Sequence, residues 1–173
     1  MTYDPYRDQI PQDPHRYPRD PERGGARLRP QTSVRSIGLL TGLVHRTPFD
    51  GHPAWQSLQH LPFDERLAAL RDPTRRARLV EEARDDRAGL DAFFVVNDAD
   101  GTARYDTTPD RSLVGVADAR GITPVEAFVA LTLETDGRLV LSWPLLNQAG
   151  AAIGEMLSDP VVMVGLADAG AHV

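Results

Sequence analysis

The stretch that most restricts the fold of this chain is VVMVGLADAGAHV, residues 161–173. Its first six residues are continuously apolar and rich in β-branched side chains, the pattern of a strand buried on both faces inside a parallel sheet. A small-residue helix over about residues 149–157 and the strand RLVLSW at 138–143 stand before it, with Asp159-Pro160 as the link. Strand, helix, strand in that order requires a right-handed crossover between parallel strands, which places the chain in the α/β class. At the far end of the run come Asp168, Gly170 and His172.

Upstream the texture divides in two. Residues 1–25 carry Pro5, Pro11, Pro14, Pro18 and Pro21 among charges of both signs, with almost no aliphatic side chains. Such a segment buries too little apolar surface to offset its ordering entropy, so a disordered tail is expected, followed by one folded domain over 26–173. That domain opens with RLRPQTSVRSIGLLTGL, read as a strand of about five to eight residues running into a glycine-punctuated loop. The next segment, HRTPFDGHPAWQSLQH, is expected to be loop because of Pro48, Asp50-Gly51 and Pro53. Leu67, Leu70, Leu79, Val80 and Ala83 recur at helical spacing, and Asp72-Pro73, an N-cap with proline at the first helical position, divides them into two helices. AFFVV at 92–96 predicts a strand ended by NDADG, and Asp110 to Ala119 a helix stopped by Gly121. Thr123-Pro124-Val125-Glu126 is a capping box that opens a helix ending before Asp136-Gly137.

Composition excludes several function classes. All 19 basic residues are arginine and the net charge is −6, with acids spread through the chain, so nucleic acid is not an expected partner. No stretch approaches the roughly 20 apolar residues of a bilayer span, and the N-terminus lacks the apolar core of a secretory signal, so no membrane association and a cytoplasmic location are expected. Without cysteine, any metal must be held by histidine and carboxylate.

Asp168 is the sharpest chemical candidate, because reacting groups of parallel α/β folds gather at the carboxyl ends of strands. A carboxylate there binds a metal or takes the proton of a metal-bound water; equally, it closes an Asx turn over the following Ala-Gly. His172 lies four residues on and is either a second pocket residue or an exposed loop residue. Arg35 and Asn147 stand near predicted strand ends, where each would hold a substrate carboxylate or carbonyl, or else cap a strand and face solvent. His45, His52 and His60 lack metal-binding spacing and are read as loop and surface residues. DADG at 98–101 lacks the later acidic ligand of a calcium loop and is read as a turn.

Several segments together resemble a known family. GARLRPQTSVRSIGLLTGL, LPFDERLAALRDPTRRARLVEEA, DARGITPVEAFVALTLETDGRLVLSWPLLNQ and, most specifically, SDPVVMVGLADAGAHV look like the later part of metal-dependent amidohydrolases of the N-acyl-D-amino-acid deacylase type. The resemblance runs from about Gly25 to Val173. It implies a partial TIM-like (β/α) barrel contributing the sixth to eighth strands, with a helical insert. It also implies that Asp168 contacts the zinc centre, takes a proton from the zinc-activated water and delivers it to the leaving nitrogen of an N-acylated amino acid.

The chain departs from that pattern in having no HxH pair from a first strand and no bridging carboxylate from the middle of a barrel. A whole barrel needs about 250 residues, against about 150 after the tail. Catalytic zinc takes three protein ligands and an open position, which Asp168 and His172 do not supply. The chain is therefore expected to be part of a longer enzyme, inactive and without zinc by itself. The alternative is a non-catalytic module that pairs an exposed sheet edge with a partner chain or with itself.

Overall fold

The computed structural model describes residues 29–34, 36–105, 107–146 and 148–165. The expected tail over 1–25 lies outside them. The chain is a mixed α/β protein whose described residues form six helices and two small sheets. It divides into two compact units: Gly38–Leu146, and the flanks, residues 1–37 with 147–173.

In the Gly38–Leu146 unit, three strands, β2 (Ile37–Thr41), β3 (Phe94–Val95) and β4 (Leu141–Leu146), form a sheet in the order β2-β4-β3. Strands β3 and β4 run antiparallel, with Phe94 opposite Ser142 and Val95 opposite Leu141. Two glycines fit β2 to β4. A Cβ on Gly38 would stand 2.2 Å from the Trp143 carbonyl oxygen, and one on Gly42 would stand 2.2 Å from that of Leu139. The two approaches run in opposite senses along the chain, so β2 and β4 are antiparallel too. Pro144 sits beyond the last residue paired with β3, where no strand on that side requires its missing N–H.

The helices of this unit are α1 (Pro53–Gln59), α2 (Phe63–Arg71), α3 (Pro73–Glu82), α4 (Leu113–Arg120) and α5 (Pro124–Glu134). Their boundaries follow local chemistry. Asp72 accepts from the Arg75 N–H at 2.7 Å and caps α3, with Pro73 as its first residue. Ser112 Oγ accepts from Gly115 N–H at 2.9 Å to start α4, and Gly121, at φ 66°, ends it. Thr123 and Glu126 form the full capping box of α5. The core is built around Phe49, Trp55 and Phe128, whose ring centroids lie 5.2–5.7 Å apart, with Leu43, Leu70, Leu113, Val125, Leu139 and Leu141 closed around them. The buried Trp55 indole N–H donates to the Leu79 carbonyl at 3.0 Å.

In the flanking unit, β1 (Gln31–Thr32) and β5 (Met163–Val164) pair in parallel, with Gln31 opposite Met163 and Thr32 opposite Val164. Helix α6 (Gly150–Ser158) packs against β1, and the Thr32 hydroxyl lies 3.9 Å from the Met156 sulfur.

Four expectations are corrected. Residues 53–59 are helical, not loop: Pro53 occupies the first turn, where its missing N–H costs nothing, and Ala54, Trp55 and Leu58 fill the core. The helix expected from Asp110 is a short 3-10 turn, Pro109–Arg111, and then α4, because Ser112 restarts the hydrogen bonding. The strand expected at 138–143 runs over 141–146 and does not cross to β5 within one parallel sheet; β4 is taken by β2 and β3, and β5 pairs with β1 instead. Finally, β5 is not an interior strand buried on both faces: it is two residues long, with Met163 43% and Val164 65% exposed.

Candidate functional site

Asp168, His172, Arg35 and Asn147 all lie outside the described residues, so the structure bears on the elements that lead to them. The parallel register of β1 and β5 sends the chain out of both strands at one edge. The Met163 N–H donates to the Pro30 carbonyl at 2.9 Å and the Gly165 N–H to the Thr32 carbonyl at 2.8 Å. A side chain at Gly165 would place its Cβ 3.2 Å from the Gln31 Cβ and 3.3 Å from the Thr32 oxygen, so glycine suits this close approach. Arg35 follows β1 by three residues and Asp168 follows β5 by four. Among the described residues no three of His, Asp and Glu stand close enough to hold a metal ion.

A polar constellation that the sequence reading missed lies at the start of α1. His52, the N-cap residue, places its Nε2 2.7 Å from Asp86 Oδ2. Nearby, Glu82 Oε2 accepts from the Ala54 N–H at 2.7 Å, and Arg78 Nε donates to Glu82 Oε1 at 3.2 Å. That backbone N–H, with help from Arg78 and His52, holds the Glu82 carboxyl below the ordinary glutamate value against the opposing effect of desolvation. An imidazole oriented by a carboxylate is the basic element of a proton-transfer pair. Here, among the described residues, no hydroxyl or thiol is hydrogen-bonded to His52 or Asp86. The open groove alongside, about 280 Å³, is lined by Pro48, Asp85, Asp86, Arg87, Ala88 and Leu90, which include no hydroxyl or thiol. The cluster thus ties the N-terminus of α1 to the end of α3. Its sequence signal was His52-Pro53 followed by apolar residues three positions apart, Trp55 and Leu58.

His45 and His60 are exposed, in agreement with their reading as surface residues; His60 is the C-cap of α1. DADG is the turn expected of it: the Gly101 N–H donates to the Asp98 carbonyl at 2.9 Å with Gly101 at φ 84°. The Asp98 carboxylate is held by Arg104 at 3.2 Å and Arg111 at 3.2 Å.

Arg66 is the other residue that sequence reasoning passed over. Its guanidinium donates to five backbone carbonyls, those of Leu61 (2.8 Å), Gln59 (2.7 Å), Leu43 (3.1 Å), Val44 (3.3 Å) and His45 (3.2 Å). It gathers the loop after β2 onto the corner between α1 and α2. No local pattern announces such a role, because the acceptors are main-chain carbonyls, three of them 21–23 residues away.

No family model, curated protein or solved structure matches this chain.

Proposed function

We propose that this chain is a portion of a metal-dependent amidohydrolase acting on the amide bond of N-acyl-D-amino acids or similar compounds. In this reading β1 and β5 are staves of a partial TIM-like barrel, and Asp168 is the carboxylate brought to its catalytic face. The observation that supports the reading is the parallel pairing of two strands 132 positions apart, Gln31 with Met163, at the strand pair that leads directly into the ADAGAHV segment. A βα-barrel is built of parallel strand pairs, and barrel active sites collect at the carboxyl ends of such strands.

Asp168 accepts the proton of the attacking water as the oxygen adds to the amide carbon. It then returns that proton to the nitrogen as the C–N bond breaks, so one water is consumed for each carboxylate and amine formed. Arg35, Asn147 and His172 remain the substrate-binding candidates. No step is assigned to the metal, and because the sequence has no HxH pair and no bridging carboxylate from the middle of a barrel, the chain alone is expected to be inactive.

The test joins this chain to the first five strands of an N-acyl-D-amino-acid deacylase and follows amino acid release from N-acetyl-D-amino acids with zinc present. Turnover that falls by about 100-fold or more in Asp168→Ala supports the reading. Undiminished activity in that variant defeats the role of Asp168.

A second reading, a non-catalytic module that associates through a sheet edge, is favoured by one observation. Strand β2 stands at the edge of its sheet with Ile37 43%, Leu39 52% and Leu40 58% exposed, and apolar edges of this kind drive strand pairing. Concentration-dependent self-association in size-exclusion chromatography, abolished by Leu39→Glu with Leu40→Glu, is the expected result. A monomer at all concentrations removes self-association from this reading.

A further inference from the structure

We infer that residues 38–146 are a self-contained folding unit set into the chain between β1 and β5, and that the β1–β5 pair opens and closes while this unit stays folded. This does not depend on the catalytic reading above.

The inference starts from where the burial lies. Among the described residues the main hydrophobic cluster falls between Leu43 and Leu141, and the partly buried side chains packed on it extend to Trp143. Ile153 of α6 is buried as well, outside that cluster. The ends of the unit also meet within it. Gly38 lies against the backbone of Trp143 and Pro144, so the chain enters and leaves through adjacent positions of one antiparallel pair. An insert with neighbouring ends and a private core is the geometry in which a segment folds without help from its host.

Several polar ties of the unit are internal as well. The Asn97 side chain donates to the Arg138 carbonyl at 3.0 Å and accepts from the Val140 N–H at 2.7 Å, bridging the turn after β3 to the start of β4. The Arg111 guanidinium, only 15% exposed, donates to the Val95 carbonyl at 2.8 Å and pairs with Asp98. Arg66 gathers carbonyls of residues 43–45, 59 and 61, all inside the same bounds.

The flanking pair is built differently. It consists of two residue pairs, Gln31 with Met163 and Thr32 with Val164, and the side chains of Met163 and Val164 are 43% and 65% exposed. With residues 38–146 folded and Gly38 already beside Trp143, this short and exposed ladder fixes only the connections 33–37 and 147–162. Two residue pairs with exposed side chains bury little apolar surface, which puts the ladder at the low end of the local opening scale.

Hydrogen exchange by mass spectrometry on the full chain tests this. The Met163 and Gly165 amides are expected to exchange at least about 100-fold faster than those of α5, each by its own opening. Equal rates in the two regions would show a single cooperative structure and overturn the inference. In Leu70→Ala, exchange should accelerate across 38–146 with the rates at 163 and 165 unchanged; a matching acceleration in both regions would also overturn it. Should that variant fail to fold, brief thermolysin digestion of the unmodified chain decides. A resistant fragment bounded near residues 38 and 146 is expected, and loss of the whole chain with no such fragment refutes the inference.

Discussion

Truncating Phe128 to alanine probes the packing on which the larger unit depends. The Phe128 side chain is fully buried, and its ring meets Phe49 at 5.5 Å and Trp55 at 5.7 Å, both edge-on. Removing a buried phenylalanine costs about 3–5 kcal/mol through lost transfer energy and the cavity left behind. Each edge-on aromatic pair adds about 0.5–1.5 kcal/mol beyond burial, so the loss should fall in the upper part of that range. At roughly 4 °C per kcal/mol for a unit of this size, the thermal midpoint drops by about 16–20 °C. Urea unfolding followed by tryptophan fluorescence is the direct assay, because Trp55 touches the substituted ring and Trp143 stacks on Phe93 at 5.0 Å in the same unit. Phe128→Leu, which keeps most of the volume, should lose about 1–2 kcal/mol. A loss below about 1.5 kcal/mol in the alanine variant, with the urea dependence unchanged, would mean that the aromatic trio is not the centre of the core.

Three further outcomes follow from the local chemistry. Thr123→Ala removes the cap of α5 and should destabilise the protein by about 1 kcal/mol, read by urea titration. The Glu126 carboxyl is held below its ordinary value of 4.5 mainly by the Thr123 N–H, with the Thr123 hydroxyl adding to it. The unfolded chain therefore binds this proton first. The stability Glu126 contributes is full above about pH 5 and is lost as pH falls through its folded value, and Glu126→Gln should flatten that part of an acid titration. Arg66→Lys replaces a planar fork on five carbonyls by one ammonium and should cost about 1–3 kcal/mol with increased exchange at residues 43–45; an unchanged stability would reduce Arg66 to a surface cation.

Local signals in the sequence were read well where one or two residues decide an outcome. The Asp72-Pro73 division, the Thr123 box and the Gly121 stop each depend on a hydrogen bond within three residues, and each is present in the structure. The errors came where distant segments compete. Which strand β4 joins depends on Gly38 and Gly42 admitting its backbone, a fact about β2 that the pattern of β4 does not carry. Helix α1 was hidden because Pro53 and Gly51 resemble turn residues, and its apolar face becomes meaningful only once Phe49 and Phe128 stand beside it. Of the chemistry, Asp168 was marked by position alone. The link between His52 and Asp86 spans 34 residues and needed coordinates to be seen.

Gly38 in β2 and Gly42 just after it carry a consequence for how this strand can vary. What bars a larger residue at 38 and 42 is main-chain oxygen at 2.2 Å, and every amino acid carries the same carbonyl. No exchange of partner across the sheet can therefore make room, as a smaller neighbour would in a conventional packing clash. Divergence in β2 should be confined to Ile37, Leu39, Leu40 and Thr41, with second-site suppressors of Gly38→Ala found only among changes that shift the whole of β4.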